Sequence, residues 1–439
     1  MSDRSPSRFV LPQGKRPSLR ADFAWTLLGN VVYAGAQFAT LMLLAKLVRP
    51  EQVGQYALGL AIVYPVMMFA NLQLRSVMTS EARPKTCFGH FLGLRLFTTS
   101  ISLAVIFGVT RFLHYSRELT GVILAVGVAY GIETISDVYY ARLQLHDRME
   151  QISKSMIARG LLSVPLLAVV AYATRSVLWG ICGVLLARVI VLFGYDLRER
   201  THGIMERSRD VLSDGELTPR LSAQVYRELL LLSLPLGIVV LLTTLNSSIP
   251  SYFIRQQLGE RELGIFTAIS FVISVGNMAV VSLGQSAFTR LAKSYAVGNL
   301  PTFWSLLGKL LAFGAMLGIA GMVLSELAGH QILRILFHPE YAERADLLPW
   351  VMGAGGVLFM AQFLGFGMTA AGHYNSQVIL NCLANLALIA ACYWLVKTRG
   401  LQGAVIAMLI AAVVQLSGSV AVLVFGTRTQ SCAERMEAA

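Results

Sequence analysis

The chain has 439 residues, of which 55% are hydrophobic and only 14% are charged. A soluble protein of ordinary composition carries about 25% charged residues. The apolar residues also occur in runs that match the ~20 residues needed to cross a ~30 Å hydrocarbon core as a helix. These features exclude a soluble globular domain, and the runs are too continuous for the alternating strands of a membrane β-barrel.

The apolar runs predict an all-α polytopic membrane protein with about twelve transmembrane helices, divided into two sets of six by a polar segment. The predicted segments are a disordered basic cytoplasmic tail (1–21), an N-terminal set of six helices (22–196), a cytoplasmic linker (197–229), a C-terminal set of six helices (230–425) and a cytoplasmic tail (426–439). The predicted spans are 22–45, 56–73, 90–111, 119–140, 155–173, 176–196, 230–254, 263–286, 303–327, 347–371, 375–396 and 401–425.

The positions of the basic residues predict the orientation of the chain. Most of the 36 Lys and Arg residues lie in alternate loops, on the same side as the N-terminus. The positive-inside rule then places both termini in the cytoplasm. The net charge of +12 is therefore a topology signal that suits contact with anionic membrane lipids, and we expect no nucleic-acid partner.

The sequence contains no recognisable metal, cofactor or catalytic motif. Its five cysteines have no CxxC spacing, and its seven histidines are scattered. It has no Walker-type Gly-rich loop and no HExxH helix, and its loops are short. These absences argue against an ATP-driven pump and against a membrane-embedded enzyme. We expect no cofactor, no metal ion and no catalytic residue.

Two short stretches at equivalent places in the two halves resemble each other. They are "RPEQVGQYALGLAI" at 49–62 and "GERELGIFTAISFVI" at 259–273, aligned on Gly54 and Gly264. Each reads as a tight external turn, a glycine where the chain bends closely, and an aromatic residue at the membrane interface. Parallel repeats of this kind are typical of transporters whose substrate site lies between the two halves.

Together with "ILFHPEYAERADLLPWVMGAG" (335–355) and "TAAGHYNSQVILN" (369–381), this layout resembles the polysaccharide transporter or O-antigen flippase family. That family belongs to the multidrug/oligosaccharidyl-lipid/polysaccharide exporter superfamily. The resemblance implies two six-helix lobes around a central cavity. It also implies alternating-access translocation of a polyprenyl-diphosphate-linked oligosaccharide, coupled to an ion or proton gradient. Such a protein would have membrane lipids, a polysaccharide polymerase and chain-length machinery as partners.

Arginines near or inside the spans are the candidates for binding a diphosphate. Arg188 lies deep in the sixth span, where an unpaired charge is costly, so it should face a cavity or a partner. Substrate contact and a structural ion pair are both consistent with this depth. Arg75, Arg95 and Arg290, with Arg159, lie nearer the cytoplasmic ends. They either anchor the interface or form a positive funnel for an anionic head group.

Amide and hydroxyl side chains at helical spacing are the candidates for a polar cavity lining that binds sugar hydroxyls. Interhelical hydrogen bonding is the alternative role. The candidates are Asn30 and Gln37 in the first span, Asn246 in the seventh, and Ser274, Asn277 and Gln285 in the eighth.

Two acids in the fourth span are the candidates for coupling. At a rise of ~1.5 Å per residue, Glu133 lies roughly 5 Å past the centre of the span. Asp137 lies roughly 10 Å past it, where an interfacial role or a local pair near Tyr140 and Arg142 explains it. Because Arg188 lies at almost the same depth in a parallel span, we predict that Glu133 and Arg188 are partners. A proton taken up by Glu133 when the pair opens would supply the coupling step.

A transporter with the same fold but another cargo remains the alternative function. A multidrug antiporter would bury carboxylates among aromatic residues and would not need a deep arginine. A flippase for a peptidoglycan precursor would be expected to have more spans and a more cationic cavity. The twelve-span count and the modest charge therefore favour polysaccharide export.

Overall fold

The computed structural model describes residues 19–79, 88–145, 148–197 and 222–437. Within these ranges every regular element is a helix, which confirms the all-α prediction. The helices are α1 (Leu19–Leu47), α2 (Pro50–Asn71), α3 (Leu74–Thr79), α4 (Phe88–Phe112), α5 (Arg117–Leu145), α6 (Met149–Thr174), α7 (Val177–Val191, continued by a π-helix at Leu192–Asp196), α8 (Ala223–Leu258), α9 (Glu260–Ser270), α10 (Val272–Ala296), α11 (Leu300–Leu336), α12 (Pro339–Ala342), α13 (Leu347–Ala370) and α14 (Tyr374–Glu437).

Eleven helical segments in the described part of the chain are long and apolar enough to cross a membrane. The last of them, α14, is kinked at Gly400, where a φ of 60° and a ψ of −136° interrupt the helix. Glycine adopts this conformation without the steric cost that a Cβ imposes. The predicted spans 375–396 and 401–425 are the two arms of α14, so the twelve predicted spans correspond to the observed helices.

Several helix ends follow from local chemistry. Asn299 caps α11, because its side-chain oxygen accepts a hydrogen bond from the Thr302 N–H at 3.2 Å. Leu72 ends α2 in the left-handed conformation, with a φ of 51°. Gly259, with a φ of 95°, separates α8 from α9. These stops set the short turns between consecutive helices.

The helices extend beyond the spans in two places. The linker was expected at 197–229, but α8 already begins at Ala223, and residues 198–221 lie outside the described part. The C-terminal tail was expected from residue 426, but α14 continues to Glu437. Hydropathy marks only the part of a helix inside the hydrocarbon, whereas backbone hydrogen bonding continues into water. The predicted N-terminal tail lies outside the described residues except where α1 begins.

The helices pack as two groups that follow the chain. In the N-terminal lobe (α1–α7), α1 packs on α6, α6 on α7, and α5 on both α2 and α4. In the C-terminal lobe (α8–α14), α13 packs on α10, α11 and α14, and α14 packs on α8. The lobes meet mainly through α2, which lies against α8 and α9.

The two repeat motifs cross each other at this interface. A Cβ atom on Gly54 would overlap the backbone carbonyl of Glu260, and a Cβ on Gly264 would overlap that of Pro50. Neither glycine has a positive φ. The expectation that they allow a bend is therefore wrong, since what they allow is close approach of two backbones from different lobes. Beside them, Gln55 Nε2 donates to Glu260 Oε2 at 3.0 Å.

Replacing Gly54 or Gly264 with alanine should weaken this crossing. The new methyl group meets backbone of the opposite lobe, so we expect a cost of about 1–3 kcal/mol. A lower thermal midpoint of the purified protein would show it. Alanine at Gly35 or Gly108 is the matched control, because an added Cβ there has no heavy atom within 4 Å. Equal midpoints for all four variants would contradict the close-approach interpretation.

Candidate functional site

One face of α5 carries a polar stripe through the N-terminal lobe. It consists of Tyr130, Glu133, Asp137, Tyr140 and Gln144, at helical intervals of three and four residues. Each of these side chains contacts a polar or charged side chain from another helix. We call this set the α5 stripe.

Glu133 is the deepest acid of the α5 stripe, and it contacts two helices. Arg188 Nη1 on α7 lies 2.9 Å from Glu133 Oε2, which confirms the predicted partnership. The hydroxyl of Tyr33 on α1 donates to Glu133 Oε1 at 2.5 Å. The Arg188 guanidinium also lies over the Tyr130 ring, 5.0 Å from its centroid. Glu133 thus joins α1, α5 and α7.

The two members of this pair differ in accessibility. The Arg188 side chain is 8% exposed, whereas that of Glu133 is 26% exposed. Although Arg188 Nη1 lies 2.9 Å from the carboxylate, neither it nor Nε makes a hydrogen bond of ordinary geometry to any of the described residues. The guanidinium therefore has hydrogen-bonding capacity that its counter-ion does not use.

A small internal cavity lies beside Arg188. Its volume is about 20 Å³, and Thr40, Tyr56 and Tyr130 contribute to its walls with Arg188. The remaining walls are apolar side chains of α5, α6 and α7. A space of this size has room for about one water molecule.

Asp137, the shallower acid, bridges two arginines from other helices. Arg75 Nη1 on α3 lies 3.4 Å from Asp137 Oδ1, and Arg95 Nη2 on α4 lies 3.8 Å from Oδ2. Arg75 also donates from Nε to Gln144 at 2.8 Å. Arg95 donates to the backbone and side-chain oxygens of Asn71, at 3.0 and 2.6 Å. Asp137 is thus the centre of a three-helix charge cluster.

The four arginines predicted for diphosphate binding occupy different environments. Arg95 is 1% exposed and is held by Asn71 and Asp137, whereas Arg75 is 33% exposed. Arg290 is exposed on α10, in the opposite lobe. The structure therefore gathers Arg75, Arg95 and Arg188 around the α5 stripe and places Arg290 apart from them.

A third ion pair lies fully inside the N-terminal lobe. Arg159 Nη2 on α6 lies 3.1 Å from Asp196 Oδ2, and Ser155 donates to Asp196 Oδ1 at 2.5 Å. The hydroxyls of Tyr140 and Ser155 are 2.7 Å apart. Arg159 is therefore buried within the lobe and paired with an acid from another helix. The sequence analysis did not predict Asp196 as a site residue, because it is the last residue of an apolar span. An acidic residue in the last turn of such a span was the signal that could have identified it.

The residues predicted to line a polar cavity differ in their hydrogen bonding and in their exposure. Asn246 on α8 donates to Asn385 Oδ1 at 3.2 Å, and Asn385 donates to the Leu242 carbonyl at 2.8 Å, so this set joins α8 to α14. Asn277 on α10 has a buried Oδ1 with no hydrogen-bond partner among the described residues. Asn30 and Gln285 are exposed, and Gln37 and Ser274 are half-buried.

A family model described as "Polysaccharide biosynthesis protein" matches residues 19–294. This match covers more than half of the chain. The chain belongs to the polysaccharide biosynthesis protein family. The resemblance to this family that the sequence motifs indicated is thereby confirmed.

Within the described residues, no group of three or more His, Cys, Asp or Glu side chains is arranged to hold a metal ion.

The similarity of this polysaccharide biosynthesis protein to a curated relative extends over most of its length. It is 24% identical over 399 residues to the capsular polysaccharide biosynthesis protein CapF of Staphylococcus aureus. The alignment covers 90% of this chain and 96% of CapF. The similarity therefore includes both lobes.

Solved structures show that the protein has the fold of transporters of the MOP superfamily. A multidrug resistance MATE family transporter in an inward-facing conformation superposes with a TM-score of 0.74 at 15% identity, covering 93% of this chain and 99% of that one. A MOP superfamily transporter from Pyrococcus furiosus superposes with a TM-score of 0.62 at 15% identity, covering 94% and 95%. At this identity the likeness concerns the fold.

Replacing Arg188 with methionine should destabilise the protein. The change leaves the Glu133 carboxylate without its counter-ion, at an expected cost of about 3–5 kcal/mol. Adding Glu133→Gln should restore most of the stability. Thermal unfolding of the purified variants measures both effects.

Lys154→Met is the matched control for this experiment. Lys154 pairs with Glu150 at 2.6 Å, but both side chains are about half exposed. Exposed pairs contribute about 0–1 kcal/mol, so the control should unfold like the wild type. If Arg188→Met unfolded like Lys154→Met, the Glu133 carboxylate would not need Arg188 for the stability of the fold.

Proposed function

We propose that this protein translocates a lipid-linked oligosaccharide across the bacterial inner membrane by alternating access. The head group would be carried on a polyprenyl diphosphate, for the synthesis of a cell-surface polysaccharide such as O-antigen or exopolysaccharide. Family membership and the transporter fold support an exporter related to polysaccharide synthesis. The observation on which the proposal depends is the Arg188–Glu133 pair. Its guanidinium is buried and has N–H groups without a hydrogen-bond partner among the described residues, and its carboxylate is partly exposed.

The charge of the head group explains why such a pair is useful. A diphosphate presents oxygens that match the planar fork of an arginine, so it competes with a carboxylate for the same guanidinium. Arg75 and Arg290 are the more accessible arginines of the predicted set, and they would attract the anionic head group from the cytoplasmic side. Arg95 would act through Asp137, because its Nη1 and Nη2 groups already contact Asn71 and Asp137.

The sugar would be held by hydrogen bonds from amides and hydroxyls. Asn277 supports this role through its unpartnered carbonyl oxygen, and Ser274 and Gln285 lie on the same helix. Asn30 and Gln37 on α1 would complete the lining. Asn246 would contribute to the α8–α14 contact instead, since its amide is engaged by Asn385.

Coupling would follow from the exchange at Arg188. When the diphosphate takes the guanidinium, Glu133 loses its counter-ion, and an uncompensated carboxylate in a lobe interior favours its neutral form. Glu133 would then bind a proton from the external side while the head group still holds Arg188, and would release it to the cytoplasm when the Arg188–Glu133 pair forms again. Asp137 was also a coupling candidate. Its contacts with Arg75 and Arg95 support a positioning role.

The orientation and the partners are part of the same proposal. Both termini would lie in the cytoplasm, so that Arg75 and Arg290 face the leaflet where the lipid-linked substrate is assembled. A polysaccharide polymerase and chain-length machinery would receive the product on the other side. Membrane lipids would surround the apolar outer faces of both lobes.

Purified protein in liposomes should move a polyprenyl-diphosphate-linked sugar between leaflets. A polyprenyl-monophosphate-linked analogue should be moved less well, because it offers Arg188 fewer oxygens. Protection of the sugar from an impermeant oxidant measures the movement. Transport of cationic drugs, with no movement of the lipid-linked sugar, would establish the multidrug alternative. Faster movement of a peptidoglycan precursor than of the polyprenyl-diphosphate-linked sugar would establish the alternative in which the protein exports peptidoglycan precursors.

Glu133→Gln should remove the dependence of transport on a pH gradient and leave membrane insertion intact. Glutamine keeps the hydrogen bond to Tyr33 but cannot exchange a proton. Glu150→Gln is the matched control, because that acid is exposed and paired with Lys154 at the surface. Gradient-driven transport by the Glu133 variant at the wild-type rate would rule out the coupling role.

A further inference from the structure

The turn between α8 and α9 reaches across to the N-terminal lobe. We call residues 255–264 the α8–α9 hairpin. Beside the close backbone crossing of the two lobes, Glu260 accepts the hydrogen bond from Gln55 on α2 at 3.0 Å. The next residue, Arg261, places its Nε atom 3.8 Å from Glu51 Oε1, in the first turn of α2. Polar and charged side chains of the hairpin therefore join the two lobes.

The same region of α8 contacts the N-terminal lobe at two further places. The Arg255 guanidinium lies 4.7 Å from the centroid of the Tyr115 ring, in the turn between α4 and α5. Further into α8, the Tyr252 hydroxyl donates to the Ala61 carbonyl of α2 at 2.5 Å. All of these contacts lie towards the end of the interface that the orientation of the chain predicts to be external. In this conformation the lobes are therefore held together at that end.

Each charged side chain of the hairpin that contacts the N-terminal lobe also has a partner of opposite charge in its own lobe. Arg255 Nη2 and Glu260 Oε1 lie 3.7 Å apart. Arg261 Nη2 donates to Glu340 Oε2 on α12 at 3.3 Å. If the lobes separated here, these three charges would keep a counter-charge, which spares them the cost of an unpaired ion. Glu51, in the other lobe, is 48% exposed, so water can solvate it.

The pairs of the hairpin are suited to repeated breaking. Their side chains are between 26% and 51% exposed, and ion pairs with this exposure contribute little to stability. The hairpin itself is held to the C-terminal lobe by a further pair, in which Arg344 Nη2 lies 3.6 Å from Glu262 Oε1. At Gly54 and Gly264 the two backbones meet without intervening side chains, so their separation disturbs no interdigitated packing at that point. The hairpin can therefore leave α2 while it stays with its own lobe.

We propose that the α8–α9 hairpin is the external gate of the transport path, and that its charged side chains exchange the N-terminal lobe for partners in their own lobe when the gate opens. This inference rests on the proposed alternating access, which requires the external end of the path to open so that the head group can leave. Glu260 gives up Gln55 and keeps Arg255, and Arg261 gives up Glu51 and keeps Glu340. Opening therefore leaves no charge of the hairpin without a partner.

A reversible cross-link across the gate should stop transport. In a chain whose five natural cysteines are replaced by alanine, Glu51→Cys and Arg261→Cys are joined by a short bifunctional methanethiosulfonate. Arg261→Cys with Glu340→Cys is the matched control, because both positions belong to the C-terminal lobe. The proteins are reconstituted in liposomes with a polyprenyl-diphosphate-linked sugar. Movement of the sugar should fall to background for the pair between lobes, return after reduction, and continue in the control.

Two charge-neutralising variants test the exchange of partners without a cross-link. Spin labels on cysteines at Arg117 and Glu343, which are exposed positions in different lobes, report the fraction of open gates as a second, longer distance. Glu51→Gln removes the partner that Arg261 loses on opening, so the open fraction should rise about two- to threefold. Glu340→Gln removes the partner that Arg261 keeps, so the open fraction should not rise. An equal rise in both variants would overturn the exchange.

The outcomes distinguish this inference from the proposed function. If the parent protein moves the sugar and the cross-link between Glu51→Cys and Arg261→Cys leaves its rate unchanged, the gate is overturned and the proposed function stands. If the parent moves no lipid-linked sugar, the proposed function fails, and the spin labels decide about the gate by themselves. A single distance between the lobes in the parent and in both variants would then overturn the gate, whereas two distances that respond to Glu51→Gln alone would support it.

Discussion

A charged side chain inside the hydrocarbon core of a membrane needs an opposite charge in contact with it. This constraint shapes the N-terminal lobe, because isolated ions there cost several kcal/mol and paired ones are tolerated. Arg188, Arg159 and Arg95 are all buried, and each contacts a carboxylate from another helix or the end of one. The packing of α1, α3, α4, α6 and α7 around α5 is what brings these charges together.

The two lobes bury polar side chains of different chemistry. Among the described residues of the C-terminal lobe, the buried polar side chains are hydroxyls and amides: Ser233, Thr244, Ser248, Ser325, Asn381, Asn385 and Ser419. The N-terminal lobe buries arginines and an aspartate as well. The proposed head group, with charge at one end and hydroxyls at the other, would match this division.

The sequence predicted those features that depend on the depth of a residue in its span and on helical periodicity. Glu133 and Arg188 were matched because parallel helices place equal depths side by side. The partners of Asp137 were not predicted, since Arg75 and Arg95 come from helices whose order around α5 is a matter of tertiary packing. Asp196 was overlooked for a different reason, because the apolar signal ends where the π-helix turns it inward. Gly54 and Gly264 were identified by their repeat, but their role depends on the facing backbone, which one segment of sequence does not specify.

The pairing of deep charges also determines how the lobe responds to voltage. A potential of ~100 mV acts with about 2.3 kcal/mol on each elementary charge that crosses the membrane. Arg188 with Glu133, and Arg159 with Asp196, are neutral as pairs, so a rigid rotation of the lobe moves almost no net charge at this depth. The electric field therefore exerts little force on these two pairs while they stay together. It acts on the cycle at the step where Glu133 and Arg188 are apart.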